Sequence, residues 1–173
     1  LSGKEYQRFV PHGQYIGSDP FNKWLKPSCV LMCEDNYSNA HGFPWVYKEL
    51  QIGKLIGTPV PGTMTAVWWE TQIDPSIVFG IPQVGCVDMR GQYAENNQLH
   101  PDIEVYNKPE HSLKGIDTQL EVAVKEMLKA ADIGACPANA EEEVKQAADI
   151  ILENTNDQGA VAELINYIIS KIE

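Results

Sequence analysis

The chain has 173 residues, a formal net charge of −11 and 43% apolar residues, which suits one domain with a real core or one domain plus a small appendage. The excess of acid makes nucleic acid a poor partner, because phosphate backbones are held by lysine and arginine. No apolar run approaches the roughly 18 residues of a membrane-spanning helix, and none of Cys29, Cys33, Cys86 and Cys136 forms a CxxC pair, so no zinc site and no transmembrane segment are expected.

The opening Leu1-Ser2-Gly3-Lys4 has neither an initiator methionine nor a charged leader, and reads as the interior of a longer polypeptide. Pro11, Gly13, Gly17, Pro20 and Pro27 punctuate an irregular stretch over 1–27. Residues 28–33 form a short apolar run between Pro27 and Glu34-Asp35-Asn36, the pattern of a strand covered on both faces, with Cys29 and Cys33 as core thiols. A helix is predicted over 39–50, with Phe43, Val46, Tyr47 and Leu50 at helical spacing, Pro44 in its first turn and Gly53 at its end. Strands are predicted at 54–57, 65–71, 77–79 and 83–89, with a turn-rich loop at 57–62. Trp68 and Trp69 are adjacent on a strand and must face opposite sides, one toward a core and the other either toward a cleft or an interface or out as a partly covered surface aromatic.

Residues 102–105, after Pro101, read as an edge strand. A helix over 117–131 has Asp117 or Thr118 as its cap and Leu120, Val124, Met127 and Leu128 on its apolar face. After a break at 134–139, two further helical patterns at 141–154 and 160–172, joined by Asn156-Asp157-Gln158-Gly159, predict a helical hairpin. The acidic Glu141-Glu142-Glu143 reads as solvated surface.

The chemistry centres on Asn36-Tyr37-Ser38-Asn39-Ala40-His41, where a strand ends and a helix starts. A serine there projects from a rigid support, and the unpaired N–H groups of the following turn can stabilise an oxyanion. From the local sequence alone a plain helix cap is the favoured reading of this residue, and the GxSxG pattern of other nucleophile turns is missing.

The segment Pro27 to Pro61, with Phe43-Pro44, Lys48-Glu49-Leu50 and Gly53-Lys54-Leu55-Ile56-Gly57-Thr58-Pro59, resembles the nucleophile region of the tricorn-like branch of the tail-specific (C-terminal-processing) serine proteases. Phe79-Gly80-Ile81-Pro82-Gln83-Val84-Gly85, Glu95-Asn96-Asn97, Pro101-Asp102-Ile103-Glu104-Val105 and Asp117-Thr118-Gln119-Leu120 follow in the family's order, so the likeness covers about residues 1–130. The resemblance implies an α/β fold with a crotonase/ClpP-like β-β-α spiral core, usually beside a PDZ-like domain, in a catalytic region over 1–131, followed here by the helical extension over 132–173. It implies a serine endopeptidase acting on peptides or unfolded proteins through an acyl-enzyme, without a cofactor. Ser38 matches the nucleophile, the Asn39 amide matches an oxyanion donor where relatives usually carry aspartate, and Glu95 matches the acid that orients the catalytic histidine through an intervening serine.

The general base departs from the commoner family pattern. The loop that carries the lysine of a Ser-Lys dyad is Pro61-Gly62-Thr63 here, and Lys54 reads as a surface residue. The resemblance therefore implies a Ser-His-Ser-Glu arrangement whose histidine, second serine and second oxyanion donor lie upstream of this chain. His41, one turn beyond Ser38, is a lesser candidate; His12 reads as a loop residue, and His100 and His111 as turn residues. A catalytically inactive member, keeping the fold for peptide binding or assembly, is the competing reading. A homo-oligomer and a periplasmic or cell-envelope location are expected by analogy alone.

Overall fold

The computed structural model describes residues 8–10, 14–15 and 26–172, and His12 lies outside them. The chain forms two compact units, Leu1–Tyr106 and Asn107–Glu173.

In the first unit, strands β1 (Arg8–Val10) and β2 (Gln14–Tyr15) occupy part of the stretch expected to be irregular. Strand β3 (Cys29–Met32), helix α1 (Asn39–Glu49) and strand β4 (Lys54–Gly57) then make a parallel crossover. Strand β5 is Ala66–Thr71, β6 is Val78–Val87 and β7 is Ile103–Glu104. They make two sheets, an all-parallel one of order β3-β4-β7 and an antiparallel one of order β2-β1-β6-β5. The central strand β4 buries Leu55 and Ile56 completely, and Met32, Tyr47, Val60 and Leu99 pack around Leu55. A smaller cluster of Met64, Cys86 and Ala94 shares the partly buried Trp45 with that core.

Four local expectations change. Strand β3, an edge of its sheet, is not covered on both faces among the described residues: Met32 is buried but Leu31 is 42% exposed, and Cys29 and Cys33 are only half-buried. Helix α1 ends through Gln51, not Gly53. Gln51 takes φ 52°, and the N–H groups of Gln51 and Ile52 close back on the carbonyls of Lys48 and Tyr47. Gly53 is needed for close approach instead, since a Cβ there would stand 2.1 Å from the Ser28 carbonyl oxygen. The strands expected at 77–79 and 83–89 are one continuous strand, β6, with Pro82 opposite Val67. Finally, neither tryptophan is core: Trp68 is 60% and Trp69 69% exposed, because the outer β5–β6 ribbon has neither face covered among the described residues.

The second unit holds α2 (Pro109–Ser112), α3 (Thr118–Ala130), β8 (Ala135–Cys136), α4 (Glu142–Ala147), β9 (Ile150–Ile151) and α5 (Ala160–Ile172). Asp117 caps α3, its Oδ1 accepting the Leu120 N–H at 3.0 Å. The expected helical hairpin is replaced by a parallel strand–helix–strand unit, β8-α4-β9, followed by α5. The backbone at Gly134 anchors this arrangement: its carbonyl accepts the N–H groups of Asp149 and Ile150, while its own N–H donates to Asp149 Oδ2 at 2.8 Å. These bonds draw Ile150-Ile151 out of the helix and alongside Ala135-Cys136. The boundary between units lies upstream of the 131/132 division read from the sequence, because α3 packs against α4, and Lys125 pairs with Glu143.

Candidate functional site

The turn between β3 and α1 is fixed by one side chain on each flank. Pro44 sits in the second turn of α1 and is buried. It has no N–H to offer the carbonyl of Ala40, four residues back. Asn36 fills the vacancy, its Nδ2 donating to the Ala40 oxygen at 3.0 Å. The Oδ1 of the same side chain accepts the Cys33 N–H at 3.0 Å and the Cys33 Sγ–H at 3.1 Å. Asn36 thus ties the end of β3 to the start of α1 across the turn.

Ser38 lies at the apex with φ 53° and ψ −122°, a backbone conformation that side-chain-bearing residues rarely adopt. It holds the cap position, but its hydroxyl does not cap the helix and has no hydrogen-bond partner among the described residues. The strained backbone is pinned from both sides. The Ser38 N–H donates to the Thr63 carbonyl at 2.7 Å, and the Ser38 carbonyl accepts the N–H groups of His41 and Gly42 at 3.0 and 2.8 Å. The exposed Asn39 opens α1, and its N–H has no acceptor among the described residues.

Residues 63–65 are the second wall of the site. Their loop approaches the Glu95 segment closely at Gly62, where a Cβ would fall 2.4 Å from the Asn97 nitrogen. The Gly62 carbonyl accepts the Asn96 N–H at 2.7 Å. Glu95 Oε2 accepts the N–H groups of Met64 and Thr65, each at 2.6 Å. Partial burial opposes the Glu95 charge, but these two amides, the Thr65 hydroxyl and the nearby His41 outweigh it and hold the carboxyl below its ordinary pKa.

His41 is buried, at 1% exposure. Burial lowers its pKa below the ordinary value, against the Thr63 carbonyl and the Glu95 charge, which raise it. Its Nδ1 has no hydrogen-bond partner, and the ring makes no hydrogen bond to Ser38 among the described residues. Ser38 and Glu95 meet on one stretch of backbone: Ser38 binds Thr63, and Glu95 binds the next two amides; Asn39 makes no bond to that stretch among the described residues. An open cleft of about 600 Å³ adjoins this stretch, lined by Thr65, Glu95, Asn96, Tyr93, Gly85 and Val10.

The remaining candidates stand apart. Lys54 is exposed at the start of β4. His100 is exposed, and its carbonyl accepts Lys48 Nζ at 2.7 Å. His111 lies in α2, its Nδ1 3.1 Å from Thr118 Oγ1. Among the described residues no cluster of His, Cys, Asp or Glu could hold a metal, and no helix is long and apolar enough to cross a membrane. Asn36 and Thr63 escaped the sequence reading. The signal for Asn36 was present: Pro44 deprives a specific carbonyl, and a nearby amide side chain is the group to satisfy it. Thr63 acts through its backbone and leaves no such trace.

The model of peptidase family S41 matches residues 3–105, more than half of the chain and all but the first two residues and the last of the first unit. A second match, to haloacid dehalogenase-like hydrolase, covers residues 125–165, within the second unit. A curated protein of Sulfurisphaera tokodaii named as a tricorn-like protease C-terminal subunit is 29% identical over 132 residues, 74% of this chain and 14% of the relative's own length. Two solved structures share the fold. A peptidase from Parabacteroides merdae has a TM-score of 0.56 at 23% identity, covering 76% of this chain and 44% of that one. The photosystem II D1 C-terminal processing protease has a TM-score of 0.53 at 15% identity, covering 76% and 33%. The chain thus spans a minor part of the proteins it matches, and the family match is confined to the unit that carries Ser38 and Glu95: this chain belongs to peptidase family S41.

Proposed function

We propose that this chain supplies the nucleophile of a serine endopeptidase resembling tricorn and the tail-specific proteases, with Ser38 as nucleophile, the Asn39 amide as an oxyanion donor and Glu95 as the acid that orients the base. The observation that carries this reading is the Ser38 turn: a serine held at φ 53° whose hydroxyl does not cap the helix, beside an amide without an acceptor among the described residues. A residue placed there for stability would be glycine or would use its side chain.

In this reading Ser38 Oγ attacks the carbonyl carbon of the scissile peptide while its proton passes to a histidine outside this chain. The carbonyl oxygen takes the negative charge and accepts the Asn39 N–H. The C–N bond then breaks, the amine leaves with the proton from that histidine, and water hydrolyses the resulting ester by the same relay. The bonds to Met64 and Thr65 fix the Glu95 carboxylate relative to Ser38, since both groups hold the 63–65 backbone. The substrate is a peptide or an unfolded protein, and the upstream part of the protein supplies the base, the second oxyanion donor and a PDZ-like region. The spiral catalytic core, the homo-oligomer and the periplasmic or cell-envelope location belong to this proposal.

The experiment is labelling of the full-length protein with a fluorophosphonate probe, followed by peptide mapping. The adduct is expected on Ser38 and absent from Ser38→Ala. A folded protein that never labels at Ser38 sinks the reading and favours an inactive peptide-binding module.

A further inference from the structure

We infer that the outer edge of β5 is a docking edge for extended peptide substrates, reading apolar side chains about five residues from the scissile bond with Trp68 and Trp69. The inference rests on the assignment of Ser38 as the nucleophile. Among the described residues, strand β5 is the terminal strand of its sheet, and all six of its residues are exposed. Sheet edges that must stay unpaired are blunted with lysine, proline or inward charge. This one reads Ala-Val-Trp-Trp-Glu-Thr, with Glu70 its one charged residue.

Its chain position selects the occupant. β5 begins at Ala66, immediately after the Thr63–Thr65 backbone that Ser38 and Glu95 hold. A peptide paired with this edge therefore lies along a strand that follows directly on the segment bonded to the nucleophile turn, a continuity that a second copy of the ribbon would not need. From Thr63 to Trp68 is five residues, of which 66–68 are strand, so the span is at most roughly 17 Å at about 3.3 Å per residue. That span is matched by about five residues of extended substrate.

The register supplies the side-chain contacts. Trp68 lies opposite Ile81 on one face, while Trp69 opposite Gly80 and Val67 opposite Pro82 share the other. The Trp69 ring lies over Gly80, where a Cβ would come within 2.9 Å of it. Alternate side chains of a paired peptide point to alternate faces, so the two indoles meet two neighbouring substrate residues, one on each face. Main-chain bonds supply affinity without sequence preference, and the two indoles add a preference for apolar or aromatic residues.

The test uses the full-length protein with Ser38→Ala and peptides of four and ten residues, read by fluorescence anisotropy and by amide hydrogen exchange. A ten-residue peptide with apolar residues near one end is expected to bind at least tenfold tighter than a four-residue one. Backbone N-methylation at alternate positions should remove that gain with the protein unaltered, as should the double variant Trp68→Ala, Trp69→Ala. Bound peptide should slow amide exchange across Ala66–Thr71. Equal affinity for short and long peptides, indifference to N-methylation, or protection elsewhere than β5 overturns the inference. So does concentration-dependent self-association that protects β5 without peptide. Fluorophosphonate labelling of the wild type separates the two readings. Labelled Ser38 with an inert β5 edge rejects the docking edge alone, and a protected β5 with unlabelled Ser38 rejects the nucleophile alone.

Discussion

The partnership of Asn36 and Pro44 makes a quantitative prediction about the nucleophile turn. Asn36→Ala removes three contacts: the bonds to the Cys33 N–H, the Cys33 thiol and the Ala40 carbonyl. Each hydrogen bond contributes a net of about 0.5–1.5 kcal/mol, with the low end apt for a half-buried side chain that water can partly replace, so the variant should lose roughly 1–3 kcal/mol. Pro44→Ala restores an N–H aimed at the same Ala40 carbonyl. In that background Asn36 is no longer needed there, and Asn36→Ala should cost roughly 0.5–1.5 kcal/mol less than in the wild type. Urea unfolding of the four proteins of the cycle, with m-values compared to exclude changes in the denatured state, measures this coupling directly. Additivity within about 0.3 kcal/mol would refute the reasoning, since it would mean that the Ala40 carbonyl does not depend on Asn36.

Other consequences follow from the same geometry. Ser38→Gly should abolish fluorophosphonate labelling while raising stability by up to about 1 kcal/mol, because glycine adopts positive φ without strain; a loss of stability in urea melts would contradict the strained-turn account. Gly62→Ala should cost more than about 2 kcal/mol, since its Cβ meets backbone and not a movable side chain; a melt within experimental error of the wild type would refute the close approach. Two acid-side effects separate by pH. The folded-state pKa of Glu95 is depressed below its ordinary 4.5, so its contribution is present above that value and is lost as pH falls through the folded pKa; Glu95→Gln should flatten that limb of the stability curve. His41 is depressed below 6.5 by burial, so stability should begin to fall as pH drops through 6.5 and settle below the folded pKa; His41→Gln should remove that earlier limb while keeping most fluorophosphonate labelling. A loss of labelling by orders of magnitude in His41→Gln would instead make His41 the base.

Much of the first unit was legible because its signals are local. The apolar run before Glu34, the helical spacing of Val46, Tyr47 and Leu50, and the short run Leu55-Ile56 each mark an element without reference to the rest of the chain. Ser38 was legible as a turn residue, and the chemistry proposed for it rests on the resemblance of the ordered segments around it. What failed depends on non-local pairing. Periodicity cannot tell whether Trp68 and Trp69 are covered, because cover comes from whatever packs on the sheet. It cannot separate a helix over 141–154 from a shorter helix followed by a strand, because Val144, Ala147, Ile151 and Leu152 fit both; Gly134, at the far end of the pairing, decides. Nor did local pattern reveal that Glu95 binds backbone amides thirty and thirty-one residues upstream.

The conformation of Ser38 also bears on how such a turn survives mutation. For a drifting sequence, glycine at position 38 is a downhill step for the fold: it fits φ 53° without strain and forfeits no hydrogen bond made by the serine hydroxyl among the described residues. Selection for folding alone would let that step accumulate. A lineage that holds serine here is therefore kept from it by some demand other than stability, and the exchange rate between the two, read from Ser38→Gly, measures how far function has pulled the turn from its structural optimum.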